Sequence, residues 1–401
     1  MKTIAIICEY NPFHNGHAEQ LARLRAAYPD AALLCIMSGC FTQRGEPAIL
    51  PPYDRAEAAI GGGADLVLEL PQPWASGSAE FFAWGGVSIA DRLGCVDALA
   101  FGCETADISA PMRVAERLDA PQLRNKLLSR PEDPAEGAAA RAERLYREIY
   151  GDDEGMLSTP NNLLAVQYCL ALRRRGSAIL PLPMERRGSA YHDTQLDARN
   201  PSATAVRAAL QHSGSAALDA LTSYLPPASI DVLHRAIDAG RAPVWGSRLE
   251  SAILAFYRLA DPAQLENCAS LGGGLAYRLC AAAQASTNLD ELLGHAAAKH
   301  FTNTRLRRAI LQGMLGATDA DLSAEPAWTL LLAASRRGLA LLHDLRRADT
   351  LPIVTKPADI PTSLSQRQAE LYKRAAALYT LAMPTPAAAG EFVKCAPFIV
   401  Q

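Results

Sequence analysis

Two histidines near the N-terminus have the spacing that points most directly to chemistry. They lie in the run EYNPFHNGH, Glu9–His17, between an apolar segment that predicts a strand and an amphipathic segment, 18–28, that predicts a helix. At such a turn, free backbone N–H groups and the helix dipole favour anions, and Gly16 lets the backbone approach a ligand. His14 and His17 are three residues apart and can meet on one side of the first helical turn. The run predicts a phosphate site where two imidazoles stabilise developing negative charge; a helix cap or a metal pair is the alternative.

A second polar loop, 38–47, follows the next apolar segment and contains Gly39, Gly45 and Pro47, which are typical of a shaped loop. The carboxyl ends of parallel strands meet at one edge of a sheet, so this loop is expected beside the histidine turn. Arg44 could then reach the β and γ phosphates of a nucleotide. An ordinary surface loop with an exposed arginine is the alternative.

Two shorter motifs predict contacts to a nucleotide or another polar substrate. Gly102 follows the fourth apolar segment, and a glycine there lets an adenine or ribose pack on the backbone. Asn161 and Asn162 follow Pro160 at the start of a predicted helix, where asparagine is unfavourable unless it binds something. Simple close packing and local capping are the alternatives.

A hydroxyl-rich helix start, 201–207, follows the last predicted strand. Ser202 and Thr204 can cap the helix and face a phosphate. Arg207, one turn further, would offer a forked set of donors to a pyrophosphate leaving group. The pattern is moderately specific, because many helices begin with Ser-x-Thr.

The alternation of strands and helices up to about residue 210 predicts an α/β fold with a parallel sheet covered by helices. The predicted strands are 3–8, 31–37, 64–70, 98–101 and 177–182, and the predicted helices between them are 53–61, 79–92 and 160–174. Residues 112–150 lack strand signals and predict a helical insertion. Beyond residue 213, strand signals nearly vanish and helical spacing is predicted at 248–259, 274–283, 289–299, 304–315, 327–346 and 365–381. The chain is therefore predicted to comprise 1–212 and a separate, mostly α-helical domain, 213–401.

Positive charge concentrates at one predicted helix start in that second part, at Lys299, Arg305, Arg307 and Arg308. A basic face on a helical domain suits the phosphate backbone of a nucleic acid. A solvated helix face is the alternative.

Composition limits the class of protein. The 401 residues are 49% hydrophobic and 20% charged, as in a globular protein with large cores, and the net charge of −3 gives no global basic field. Nine scattered cysteines fit reduced core thiols rather than a disulfide framework. We see neither signal-peptide anatomy nor an apolar run approaching the ~18 residues that a membrane span needs. We expect a cytoplasmic protein without a membrane partner.

Together these motifs resemble the HxGH nucleotidyltransferase superfamily, which pairs a His-x-Gly-His turn with a Ser/Thr–Arg motif after the last strand. Within it, the chain resembles the tRNA(Met) cytidine acetate ligase family, and the resemblance runs through nearly the whole chain. The segments that carry it are 9–17, 38–39, 43–48, 101–104, 160–162, 191–193, 202–204, 299–308 and 351–356. It implies a Rossmann-like nucleotidyltransferase domain followed by a helical tRNA-binding domain.

The resemblance also implies a two-step reaction. Acetate attacks the α-phosphate of ATP, which Mg²⁺ accompanies, to give acetyl-adenylate and pyrophosphate. The exocyclic amine of the wobble cytidine in elongator tRNA(Met) then takes the acetyl group and becomes N4-acetylcytidine.

The implied catalytic residues are His14, His17 and Arg207, and the implied tRNA-binding residues are Lys299, Arg305, Arg307 and Arg308. The implied ATP-binding residues are Ile7, Cys8, Glu9, Tyr10, Asn11, Pro12, Phe13, His14, Asn15, Gly16, His17, Gln20, Gly102, Asn161, Asn162, Arg186, Arg187, Ser202 and Thr204. The sequence does not decide which of Arg186 and Arg187 contacts the nucleotide, and it does not indicate an oligomeric state.

Two other functions are compatible with parts of this pattern. An adenylyltransferase acting on a small phosphate ester would use the same His-x-Gly-His turn and release pyrophosphate, although such enzymes are usually much shorter. A non-catalytic RNA-binding protein could hold ATP structurally, but the intact His14, His17 and Arg207 argue against it.

Overall fold

The computed structural model describes residues 2–104, 107–129, 136–151, 155–185, 203–213, 218–298, 301–347, 350–361 and 363–400. Arg186, Arg187, Ser202 and Lys299, all predicted site residues, lie outside these ranges. Within the described residues, no helix is both long enough and apolar enough to cross a lipid bilayer.

Eight strands in the described part of the chain belong to one sheet. They are β1 (Thr3–Cys8), β2 (Ala32–Ser38), β3 (Leu66–Leu70), β4 (Ala98–Cys103), β5 (Leu180–Glu185), β6 (Thr329–Ala334), β7 (Ile353–Val354) and β8 (Phe398–Ile399). The order across the sheet is β5-β4-β1-β2-β3-β6-β7, and β8 pairs with β6. The first five strands are parallel, whereas β6 runs antiparallel to β3.

The described residues also form α-helices along the whole chain. They are α1 (Asn15–Ala27), α2 (Pro52–Gly61), α3 (Ala79–Arg92), α4 (Ser109–Asp119), α5 (Pro121–Leu128), α6 (Ala138–Tyr150), α7 (Pro160–Arg175), α8 (Ala203–Ser213), α9 (Leu218–Leu221), α10 (Pro227–Asp238), α11 (Glu250–Leu259), α12 (Pro262–Leu265), α13 (Leu275–Gln284), α14 (Leu289–Ala296), α15 (Asn303–Leu315), α16 (Asp319–Ser323), α17 (Arg336–Arg347) and α18 (Gln366–Ala382).

The sheet is buried on both faces, which explains its sequence. Every residue of β2 and β3 is buried, as expected of central parallel strands that read as continuous apolar runs. One core packs the sheet against α3, α4 and α7, and the other packs it against α1, α2, α8 and α10. The predicted α/β fold with a Rossmann-like parallel sheet is thus confirmed. The described residues of 109–150 contain α4, α5 and α6, and their assignment as an insertion stays a prediction.

The strand order places a binding crevice at one point of the sheet. The chain passes from β1 outwards to β2 and β3, then returns to the other side of β1 with β4 and β5. At such a switch point, the loops after the two neighbouring strands diverge and leave a crevice at their carboxyl ends. The histidine turn that follows β1 lies there.

One sequence prediction is wrong for the second half of the chain. Residues 327–346 were expected to be a single helical run, but 329–334 form β6 and only α17 is helical. The segment TLLLAA is apolar throughout, and such a run does not distinguish a buried strand from a buried helix. Because β6, β7 and β8 join the sheet, 213–401 shares that sheet with 1–212; the division into two domains stays a prediction.

The remaining helices of the second half enclose a core of their own. It includes Leu254, Leu279, Leu306 and Tyr379, and it also takes in Phe41 from the loop after β2. This loop therefore connects the crevice with the helical part of the molecule.

Candidate active site

A cavity of about 240 Å³ lies at the carboxyl ends of β1 and β4. Its lining includes residues from the β1–α1 turn, the loop after β2, the ends of β4 and β5, α7 and α8. The predicted site residues on this lining are Ile7, Cys8, Glu9, Tyr10, Asn11, His14, Gly16, His17, Gln20, Arg44, Gly102, Asn161, Thr204 and Arg207. Most sequence-predicted nucleotide contacts that the structure describes thus converge on one cavity.

The two histidines form a stacked pair at the N-terminus of α1. Their ring centroids are 3.8 Å apart and their planes differ by 27°. The Gly16 backbone N–H donates to His14 Nδ1 at 3.1 Å, and the His14 backbone N–H donates to His17 Nδ1 at 3.3 Å. Because each Nδ1 accepts a hydrogen bond, the proton of each neutral imidazole is on Nε2. The capping arrangement therefore makes both rings Nε2–H donors.

The segment between β1 and the histidines is held by polar contacts from two other regions. Asn11 Oδ1 accepts from the Ile49 N–H at 2.8 Å, and the Asn11 carbonyl accepts from Arg207 Nη1 at 2.7 Å. Arg207 Nη2 also donates to Thr204 Oγ1 at 3.2 Å. The predicted leaving-group arginine is thus oriented by the same turn that carries the histidines.

Three predicted nucleotide contacts, Pro12, Phe13 and Asn15, belong to the histidine turn but do not line the cavity. Phe13 is buried and packs on Gly62, where an added Cβ would lie 2.2 Å from the ring. Asn15 Nδ2 donates to the Ser223 carbonyl at 2.9 Å. Pro12, which precedes Phe13, is absent from the cavity lining. In this structure these residues fix the turn rather than face the cavity.

Of the two asparagines at the start of α7, one lines the cavity and the other supports the backbone beside it. Asn161 lines the cavity. Asn162 is buried, and its Oδ1 accepts from the Glu104 N–H at 3.0 Å and from Cys103 Sγ at 3.1 Å. Asn162 therefore fixes the backbone that follows Gly102, so that Gly102 and Asn161 form the wall on the β4 side.

Sequence reasoning did not identify Arg55, a fully buried arginine of α2. Its guanidinium donates to the carbonyls of Glu9, Ser38, Gly39 and Leu50, with Nη2 to Ser38 O at 2.8 Å and Nε to Leu50 O at 3.1 Å. It thereby joins the chain ends that leave β1 and β2. The only sequence signal was a charged residue on the otherwise apolar inner side of α2, and burial lowers the pKa of this guanidinium.

Two acidic side chains near Arg55 are also withdrawn from water. Burial raises the pKa of Glu9, against the Gln43 N–H and the positive charges of Arg207, Arg44 and Arg55. Burial raises the pKa of Glu69, on β3, to about 8, although Arg55 opposes the shift. The Glu69 carboxylate packs so closely on Gly39 that a Cβ there would lie 1.9 Å from Oε1.

The loop after β2 connects the cavity with the N-terminus of α15. Glu46 lines the cavity and forms an ion pair with Arg307, with Oε1 and Nε 3.3 Å apart. Gly45, with a φ of +75°, approaches so closely that a Cβ would lie 2.6 Å from the Arg307 carbonyl carbon.

The other two predicted tRNA-binding arginines that the structure describes lie on the same helix start. The Arg305 guanidinium carbon is 4.7 Å from the centre of the Phe301 ring. Arg308 is partly buried, and burial together with the Arg305 charge lowers its pKa to about 10. Among the described residues, Arg308 has no hydrogen-bond or ion-pair partner. The basic cluster predicted from the sequence is therefore adjacent to the cavity.

No group of three or more His, Cys, Asp or Glu side chains in the described ranges could hold a metal ion. A Mg²⁺ that accompanies ATP takes much of its coordination from phosphate oxygens and water. The lining carboxylates, among them Glu19 and Glu185, are compatible with that outer arrangement. Mg²⁺ remains a prediction.

Comparison with known proteins agrees with this geometry. The model of the HIGH Nucleotidyl Transferase family matches residues 1–391. The chain is 33% identical over 390 residues to the tRNA(Met) cytidine acetate ligase of Caldanaerobacter subterraneus subsp. tengcongensis, covering 95% of this chain and 96% of the relative. It is 32% identical over 400 residues to the enzyme of the same name from Acetivibrio thermocellus, covering 96% of each.

Solved structures match over the full length. The crystal structure of apo Thermotoga maritima TmcAL superimposes with a TM-score of 0.91 at 28% identity, and the form bound with alpha-thio ATP with a TM-score of 0.89, each covering 100% of both chains. With the stacked histidines, the Thr204–Arg207 helix start and these full-length matches in place, the chain belongs to the HIGH nucleotidyltransferase family and, within it, to the tRNA(Met) cytidine acetate ligases.

Proposed function

We propose that this chain is an ATP-dependent ligase that activates acetate as acetyl-adenylate and acetylates N4 of the wobble cytidine of elongator tRNA(Met). The observation that carries the proposal is the stacked pair of His14 and His17, two Nε2–H donors that line a cavity of nucleotide-binding topology. The names of the full-length relatives, tRNA(Met) cytidine acetate ligase, support an acceptor cytidine in tRNA(Met). A cytoplasmic location belongs to the same proposal, because all nine cysteines are free thiols.

In the first step, an acetate oxygen attacks the α-phosphorus of ATP and the bond to pyrophosphate breaks. The two Nε2–H groups donate to the non-bridging oxygens as negative charge accumulates on them. Arg207 and Thr204, already oriented towards each other, bind the leaving pyrophosphate. The proposal also includes Ser202 as a ligand of these phosphates and one of Arg186 and Arg187 as a ligand of the nucleotide. Gly102 and Asn161 receive the adenosine, with Asn162 supporting them.

In the second step, the tRNA reaches the acetyl-adenylate from the side of α15. Lys299, Arg305, Arg307 and Arg308 bind its phosphates, and the ion pair between Arg307 and Glu46 connects that surface with the cavity. The loop containing Arg44 then lies between nucleotide and acceptor.

The experiment is to incubate the protein with ATP, labelled acetate and tRNA, digest the tRNA and separate the nucleosides. We expect labelled N4-acetylcytidine that requires both ATP and the wobble cytidine; a tRNA transcript with uridine at that position is the control. Absence of the labelled nucleoside, with pyrophosphate released only when a small phosphate ester is supplied, would instead identify an adenylyltransferase.

A further inference from the structure

We propose that Glu9 is the proton acceptor of acetyl transfer, taking the proton that the cytidine N4 amine loses as it attacks the acetyl carbonyl. This rests on the proposed function and adds a catalytic role to a residue otherwise expected only to contact ATP. The first step needs no such group, because acetate is already an anion, whereas the attacking amine must release a proton.

The position of Glu9 suits this role. It follows β1 and lines the cavity, and its Oε1 accepts from the Gln43 N–H at 2.6 Å. This hydrogen bond orients the Glu9 side chain, and the amide keeps its proton. Among the described residues, Oε2 has no hydrogen bond, so lone pairs remain for an incoming proton.

Glu9 also lies on the acceptor side of the cavity. The nucleotide wall of Gly102 and Asn161 belongs to β4 and α7, on one side of β1. Gln43 belongs to the loop after β2, on the other side, and Gly45 of that loop packs on the backbone of Arg307. A cytidine held by the basic start of α15 therefore approaches the wall to which Glu9 is bonded.

The other acidic side chains on the lining are less suited to accept this proton. Glu46 is paired with Arg307. Glu19 lies on α1, after the histidines. Glu185 lies at the carboxyl end of β5, on the opposite side of β1 from the loop after β2. Glu9 combines burial with a place beside the loop after β2.

The charges around Glu9 tune it in opposite directions. Burial raises its pKa, while Arg207 of α8, Arg44 of the loop and Arg55 of α2 lower it, as does the Gln43 N–H. The net effect is a raised pKa for the Glu9 carboxyl group. A base whose pKa lies closer to neutrality accepts a proton more effectively.

The step balances without a further reactant. The bond from cytidine N4 to the acetyl carbon forms, the bond from that carbon to the phosphate oxygen breaks, and AMP leaves with the electron pair. The N4 proton passes to Glu9 and then to solvent.

The test separates the two steps in Glu9→Gln, which keeps the acceptor for the Gln43 N–H but cannot take the proton. Acetate-dependent exchange of pyrophosphate into ATP reports the first step. Acetyl transfer in a single turnover, after acetyl-adenylate has formed on the enzyme, reports the second. We expect the transfer rate to fall about 10²-fold or more relative to the exchange rate, and Glu9→Asp to recover part of the loss.

The pH dependence gives a second readout. In the wild type, the transfer rate should rise with pH through the Glu9 pKa, and this limb should disappear in Glu9→Gln. Glu116→Gln, which removes the same charge from an exposed position of α4 outside the cavity lining, should keep the wild-type ratio of the two rates.

Two results would overturn the role of Glu9: a transfer-to-exchange ratio in Glu9→Gln within about threefold of the wild type, or an unchanged pH limb. Equal loss of both rates belongs to the first case and would assign Glu9 to the nucleotide pocket. If the wild type itself forms no acetylcytidine, the proposed function fails instead.

Discussion

The carboxyl edge of the sheet and the N-terminus of α15 each contain an arginine that is at least partly buried. The two arginines differ in whether their guanidinium groups have hydrogen-bond partners. Arg55 donates to three backbone carbonyls at the ends of β1 and β2 and to the carbonyl of Leu50 before α2. Arg308 has no partner among the described residues, and Arg305 beside it repels its charge. Burying a cation is costly unless hydrogen bonds or an opposite charge compensate.

This difference predicts that Arg55 stabilises the fold, whereas Arg308 binds a ligand. The polar groups around Arg55 are satisfied within the chain, so removing one should damage the fold. Arg308 at α15 has no partner among the described residues, so removing it should weaken binding and leave the fold stable. Each of the following measurements sharpens or breaks this contrast.

Replacing Arg55 with Leu should have the largest effect. It leaves the carbonyls of Glu9, Ser38 and Gly39 without a donor, so we expect a loss of about 4–5 kcal/mol in the free energy of unfolding. Denaturant unfolding measures it. Arg235→Leu, which removes an exposed ion pair with Glu57 at 2.5 Å, should cost about 1 kcal/mol or less. Equal losses in the two variants would contradict the contrast.

Removing one imidazole of the stacked pair should come next. Under the proposed function, we expect His17→Ala to lose one donor to the α-phosphate and the rate of acetate-dependent pyrophosphate exchange to fall about 10²–10³-fold. The exposed His212, which contacts the Ala208 carbonyl, provides the control His212→Ala. Exchange at the wild-type rate in His17→Ala would remove the histidine pair from the first step.

The pH dependence of stability tests whether the Glu69 carboxyl group, buried near Arg55, is protonated in the folded protein. Its folded pKa of about 8 exceeds the ordinary value of 4.5, so the folded state binds more protons than the unfolded state between these two values. Stability therefore falls as the pH rises from about 4.5 to 8. Glu69→Gln lacks this loss, so its stability relative to the wild type should increase over that window, by about 4 kcal/mol at pH 8.

Thermal unfolding of both proteins at pH 5, 6, 7 and 8 measures that difference. If the two melting temperatures remain parallel across this range, the Glu69 carboxyl group is ionised in the folded protein, and the prediction is wrong.

Arg308→Ala should produce the smallest effect. If Arg308 binds a tRNA phosphate, affinity should fall by about 1 kcal/mol and the slope of log affinity against log salt should decrease by about 1. Filter binding over a salt series measures both quantities, with the exposed Lys373→Ala of α18 as the matched control. A melting temperature reduced as strongly as in Arg55→Leu would show that Arg308 stabilises the fold instead.

The sequence predicted the elements whose signals are local. The β1–α1 turn, α2, α3 and α7 lie within a few residues of their predicted ends, because apolar periodicity and the flanking prolines and glycines define them. The convergence of the histidine turn, Gly102, Asn161 and Arg207 was predictable as well, since parallel strands present their carboxyl ends on one edge.

What the sequence did not predict depends on distant contacts. Asn162 reads like Asn161 in the sequence, and only the position of the Glu104 N–H decides that it supports the wall. Arg55 and Glu69 are charged residues that the structure buries, and their burial depends on packing between elements that are distant in the chain. The segment of β6 was interpreted as helix, because the strand that it pairs with, β3, is distant in the sequence. Thr329 Oγ1, for example, donates to the carbonyl of Glu69, 260 residues earlier.

That pairing has a consequence for how the molecule is made. Until Thr329–Ala334 has left the ribosome, β3 is an open edge of a hydrophobic sheet, able to recruit any other strand. The catalytic half therefore cannot finish folding as it emerges and must wait for a segment synthesised much later, a contact of high sequence separation that slows folding. A fragment that ends at residue 212 would keep the histidines, Thr204 and Arg207 and yet expose the edge that makes it prone to aggregate.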